Sequence, residues 1–400
     1  MPKLSNTGSK VPASPIRKLV PYAEDAKKRG IKVYHLNIGQ PDIETPQVAL
    51  DAIHHDKARV IEYTHSAGIE STRRKLAEFY AERGIPNVDY QDIILTSGGS
   101  EAILFGMLAI CDPGDQIIVP EPFYANYNGF GAEAGVEIVP VKSYIKDNFA
   151  LPPIPEFEKL ITPRTKAIFI CNPNNPTGYL YTEQELEQLR TLVLKHDIFL
   201  FSDEVYCDLC YDGRVHHSAL KLKGADDNIV MFDSMSKRYS MCGIRVGAIV
   251  TRNRNLLESV LRMGQARLCT SYIGQVAAEA AMAAPQSYYR EVYDEYLARR
   301  DFIINALNKI EGIICPMPSG AFYAIVELPV DDADRFARWM LEEFDHKGNT
   351  VMIAPGSGFY SNPEDGCRQA RIAYVLNRED LKVAVETLDA ALKAYPGRTI

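Results

Sequence analysis

From about residue 90 to residue 250 short apolar runs alternate with amphipathic stretches, and this rhythm does most to limit what the chain can fold into. Asp92-Ile93-Ile94-Leu95-Thr96, Gln116 to Val119, Val136 to Val141, Lys166 to Ile170 and Ile198 to Phe201 read as strands. Between them Leu104, Met107 and Ile110 recur at helical spacing, as do Leu186, Leu189 and Val193 behind the capping box of Thr182 and Glu185. Strands that alternate with helices are joined by crossovers, so the expected fold is α/β, a mostly parallel central sheet with helices on both faces. Ile229 to Phe232 and Val246 to Val250 are joined by too short a link for a crossover, which predicts one antiparallel strand there.

After about residue 275 the alternation lapses. A long helical pattern, strands at Ala321 to Leu328, Val351 to Ala354 and Ala370 to Val375, and two more helices suggest a smaller α+β domain. The N-terminal segment is expected to pack on it, giving a large domain over 48–290 and a small one from 1–47 and 291–400. Within that segment Ser14-Pro15 predicts a helix start and Gly30 its end; the dozen residues before are expected to be loose.

A net charge of -8 speaks against a general nucleic-acid binder. No apolar run reaches membrane-spanning length and no signal sequence is evident, which makes the cytoplasm the expected compartment. Eight scattered cysteines include one C-x-x-C, Cys207 and Cys210, with no second pair at zinc spacing, so reduced thiols are expected and no metal.

Ligands of open α/β sheets bind beyond the carboxyl ends of the strands. Ser97-Gly98-Gly99-Ser100, Tyr124, Asn175, Asp203 and Lys237 each follow a predicted strand. The glycine turn into a helix suits an anion, because free amides and the positive helix end point at one place. Lys237 admits two readings: a surface lysine with its head in water, or a desolvated amine able to act as a nucleophile.

Taken together, Asn175-Pro176-Thr177-Gly178, Asp203 with Tyr206, Ser234-x-Ser236-Lys237 with Arg245, and Arg371 closely resemble the class I aminotransferases of pyridoxal-phosphate fold type I, over nearly the whole chain. The resemblance implies that Lys237 holds pyridoxal 5'-phosphate as a Schiff base and then carries a proton, while Asp203 pairs with the ring nitrogen. Tyr206 and Asn175 would bond the phenolic oxygen and Tyr124 would stack on the ring. Gly99, Ser100, Ser234, Ser236 and Arg245 would hold the phosphate, with Tyr63 reaching it from the partner subunit of a homodimer that shares its active sites. Arg371, Gly39 and Asn175 would bind the substrate α-carboxylate.

Many relatives have Met-Thr-Gly-Trp-Arg where this chain has Met241-Cys242-Gly243-Ile244-Arg245, and some aspartate-specific ones have a lysine at the place of Ser100. Arg267, acting in the partner's site, is the candidate reader of a second substrate carboxylate. The resemblance thus implies amino transfer from an L-amino acid, aspartate first and aromatic second, to a 2-oxo acid such as 2-oxoglutarate. A broad-range aminotransferase or a β-lyase of the same fold are the alternatives. A non-catalytic regulator would require a DNA-binding module, for which the stretch before Ser14 is too short.

Overall fold

The computed structural model describes residues 2–400. Among the described residues twelve strands lie in three sheets. The largest has seven: β2 (Ile93–Thr96), β3 (Gln116–Glu121), β4 (Glu137–Lys142), β5 (Thr165–Cys171), β6 (Phe199–Asp203), β7 (Ile229–Ser234) and β8 (Gly247–Val250). Their order is β2-β8-β7-β6-β5-β3-β4, parallel except for β8, which runs antiparallel to both its neighbours. The antiparallel strand lies where the short link demanded it.

Strand periodicity sorts the core onto two faces. Along β7, Ile229 and Met231 join Leu186 and Leu189 on one side, while Val230 and Phe232 join Ile103 and Met107 on the other. A sheet buried on both sides explains why these strands read as unbroken apolar runs.

The other strands are β1 (Lys32–His35), β9 (Tyr323–Glu327), β10 (Asn349–Met352), β11 (Ala354–Pro355) and β12 (Gln369–Ala373). β1 pairs in parallel with β10, and β12 lies antiparallel between β11 and β9. Helices Val20–Lys28, Gln286–Leu307, Ala333–Glu342 and Arg378–Ala394 contribute to the core around them. The Gln286–Leu307 helix continues without a break past position 290.

Two N-terminal expectations are corrected. Asn6–Lys10 forms a short helix capped by the Ser5 side chain. The next helix starts at Val20 rather than at Ser14-Pro15; its Pro21 occupies the first turn, where a missing N–H costs no intrahelical bond. Residues 15–19 form turns instead.

Candidate active site

A cavity of about 690 Å³ opens at the carboxyl ends of β5, β6 and β7. It gathers Gly39, Gly99, Ser100, Tyr124, Asn175, Asp203, Tyr206, Ser234, Ser236, Lys237, Arg245 and Arg371.

Lys237 sits in the one-turn helix Met235–Arg238 at the end of β7, where the Ser234 side chain accepts from the Ser236 amide at 3.2 Å. The next residue anchors the turn. Arg238 Nη2 lies 3.1 Å from Asp233 Oδ1, and its Nε also pairs with Asp208. The Lys237 ammonium donates to the Gly39 carbonyl at 2.8 Å, with Cys242 Sγ at 3.8 Å. Burial holds its pKa below the ordinary lysine value; the nearby Arg371 and Arg245 charges act in the same direction, against an opposing effect from Cys242.

Asp203 ends β6 in the interior. Tyr127 donates to its Oδ2 at 2.8 Å and the Val205 amide to its Oδ1 at 3.3 Å. Desolvation nevertheless pushes the carboxyl up to about 6, so a cation beside it would be needed to keep it charged at lower pH. The Tyr206 hydroxyl lies 3.0 Å from that of Tyr323, and Asn126 donates to the Tyr124 hydroxyl at 2.8 Å.

The glycine turn forms an anion cradle. Helix Gly99–Ile110 follows Gly98, whose φ of +82° is one glycine adopts without strain, and no side chain caps its first amides. A Cβ on Gly98 would lie 2.3 Å from Arg245 Nη2, so the guanidinium is packed directly on the turn. Arg245 donates to the Ser97 carbonyl at 3.1 Å and the Cys242 carbonyl at 3.0 Å. The Ser234 and Ser236 hydroxyls lie 2.9 Å apart beside it.

Arg371, on β12, is 1% exposed. It donates to Asn175 Oδ1 at 2.9 Å and to the Asn37 carbonyl at 2.5 Å, while its Nε is buried with no partner. A buried N–H left unpaired is costly, and a carboxylate arriving there would satisfy it.

Two expected residues lie elsewhere. Tyr63 is 78% exposed, in a shallow depression with Ile61 and Tyr272, outside the cavity of its own chain. Arg267 bonds within its own chain, with Nη1 2.6 Å from Glu101 Oε2 and Nη2 donating to the Ser66 and Leu95 carbonyls, while its Nε is buried with no partner.

The sequence reading missed Tyr127, Tyr323 and Arg17. Tyr127 is three residues beyond Tyr124, a helical spacing that could have flagged it; Tyr323, inside an apolar strand, carried no signal. Arg17 lines the cavity because residues 15–19 are turns rather than helix.

The sequence pattern of the aminotransferase class I and II family matches residues 31–388. The chain belongs to that family. It is a transaminase dependent on pyridoxal phosphate, and its mostly parallel sheet is the family's fold. The aspartate aminotransferase of Thermotoga maritima is 31% identical over 352 residues, 88% of this chain and 90% of that protein. An aromatic-amino-acid aminotransferase of Thermococcus litoralis is 31% identical over 98% of both chains. In structure, the alanine aminotransferase of Pyrococcus furiosus superposes with a TM-score of 0.91 at 30% identity, covering 98% of this chain and 100% of that one. Aminotransferases named for three different donors resemble this one to similar degrees, so overall likeness does not select a substrate.

Proposed function

We propose that this aminotransferase moves the amino group of an L-amino acid, aspartate by preference, to a 2-oxo acid such as 2-oxoglutarate, with Lys237 as covalent anchor and proton carrier. The observation that carries the reading is the placing of the Lys237 amine in one cavity with the buried Asp203 carboxylate and the unsatisfied Arg371.

The donor set suits pyridoxal phosphate. Asp203 can hold a cationic ring nitrogen, the amides of Gly99 and Ser100 with Arg245, Ser234 and Ser236 can hold a phosphate, and Tyr124 offers a ring face. Tyr206 and Asn175 present polar groups for the phenolic oxygen. When bound, the cofactor supplies an aldehyde for amine attachment and a conjugated ring that accepts electrons.

Lys237 Nζ then works twice. Burial that lowers its pKa favours the neutral amine, which would serve as a nucleophile toward the cofactor aldehyde and, when free, as a base toward the substrate α-carbon proton. Arg371 fixes the α-carboxylate, with Asn175 and the Gly39 backbone beside it, so the bond that breaks is set by binding geometry.

We further propose a homodimer with shared active sites. Val60, Ile61 and Tyr63 are exposed apolar residues close together, as a covered interface would present, and Tyr63 would serve the partner's phosphate site. We also propose the division into 48–290 and 1–47 with 291–400, which the separation of the sheets supports, the Gln286–Leu307 helix spanning the boundary. Eight free cysteines suit a reducing compartment such as the cytoplasm.

The test is turnover of aspartate, tyrosine and alanine by the purified holoenzyme with 2-oxoglutarate. Oxaloacetate formed faster than the other oxo acids supports the reading. Preferred tyrosine or alanine would replace aspartate, and ammonia release without an oxo-acid acceptor would replace transfer with elimination.

A further inference from the structure

Five charged residues line the cavity, Arg17, Asp203, Lys237, Arg245 and Arg371, four of them basic and one acidic. Three of the cations have prospective counterparts in the function proposed above: Arg245 the phosphate, Arg371 the α-carboxylate, and Lys237 the bond to the cofactor. Asp203 is reserved for the ring nitrogen. Arg17 remains.

The Arg17 guanidinium has no hydrogen-bond or ion-pair partner among the described residues, and its neighbours on both sides are held in place. Asn37 Nδ2 donates to the Ile16 carbonyl at 3.2 Å, the Arg17 amide donates to the Ser14 carbonyl at 3.1 Å, and Lys18 is tied to Asp334. Pro15 lies against Gly358 so closely that a Cβ there would sit 2.2 Å from the Pro15 Cβ. The backbone is thus fixed at the cavity wall while the side chain stays open to solvent. Its charge is felt at the Tyr124 hydroxyl, whose pKa burial raises and Arg371 and Arg17 lower.

We propose that Arg17 binds the side-chain carboxylate of a dicarboxylic substrate, making it a specificity residue supplied by the same subunit as Lys237. The inference rests on the aminotransferase reading of this cavity. Arg371 and Arg17 then hold the two carboxylates of one substrate, and a neutral side chain leaves the Arg17 charge unanswered. Arg267, engaged with Glu101, is relieved of the task.

The experiment compares each acid with its neutral isostere. For wild type, Arg17→Gln and Arg17→Lys holoenzymes, kcat/KM is measured for aspartate against asparagine and for glutamate against glutamine. Loss of charge-assisted hydrogen bonds to one carboxylate should reduce the acid-to-amide ratio roughly 10- to 100-fold in Arg17→Gln, with partial recovery in Arg17→Lys. The loss should fall mainly on KM. An unchanged ratio in Arg17→Gln, or a wild type that does not prefer acids over amides, overturns the proposal. A wild type that transfers no amino group from any donor refutes the underlying reading, and Arg267→Gln is the control: collapse of the ratio there and not at Arg17 returns the role to Arg267.

Discussion

On the sheet side of the cavity Asp203, Ser234, Ser236, Lys237 and Arg245 all have protein partners, whereas on the opposite side Arg371 keeps a buried Nε without one and Arg17 has none at all. The sheet side is preset, as befits residues that hold one group in a fixed geometry through every cycle. The opposite side is left incomplete. An unpaired buried donor such as the Arg371 Nε costs roughly 1 to 3 kcal/mol, and an incoming carboxylate would relieve it, whereas the exposed Arg17 carries no such cost. On the proposed reading, a resident cofactor and an exchangeable substrate place different demands on the protein, and the two walls would divide them.

Removing the amine of the preset wall has the largest expected effect. Lys237→Ala should lower turnover at least ~10³-fold, since nucleophile and base are lost together; single-turnover mixing with aspartate checks it, and ordinary turnover would move the chemistry off this wall. On the incomplete wall, Arg371→Leu should reduce kcat/KM by ~10²- to 10³-fold, mostly through KM. Steady-state kinetics that show the loss in kcat alone would place the α-carboxylate elsewhere.

The preset wall also makes a claim about pH. The Asp203 carboxyl has a folded pKa of about 6 against an ordinary 3.8, so between those values the folded chain binds more protons than the unfolded one. Its contribution is therefore largest below the unfolded value and is lost as pH rises through 6, on the order of 3 kcal/mol in the cofactor-free protein. Thermal melts of apo wild type and Asp203→Asn at pH 5 and 8 check this. The mutant should lose part of the decline; identical slopes would show that Tyr127 and the Val205 amide already compensate the charge. The smallest effect is expected at Tyr63→Phe, where one hydrogen bond worth about 1 kcal/mol should weaken cofactor retention several-fold. Unaltered cofactor dissociation would limit Tyr63 to packing.

The two walls also differ in how legible they were. Ser234, Lys237, Asp203 and Asn175 stand directly after apolar runs, so strand periodicity alone places them at one edge. The antiparallel β8 followed from link length. The other wall brings the turn at 15–19 to Tyr323 and Arg371 on the paired strands β9 and β12, far along the chain, and no local pattern reports that meeting. Ser14-Pro15 misled because cap chemistry suits a tight turn as well as a helix start, and tertiary contacts with Asn37 and Gly358 decide between them. The pairing of Arg267 with Glu101 was equally illegible, being a contact between separate helices.

The antiparallel β8 carries one more consequence. It joins β2 to β7, pairing Ile93 with Val250 across about 150 residues, and its first residue, Gly247, packs against Gly98 and Gly99. Closing so long a loop is entropically slow compared with pairing neighbouring strands. The cradle's packing against Gly247 therefore depends on the two ends of the large sheet's sequence meeting, and the moment at which phosphate first binds during refolding would report when that contact forms.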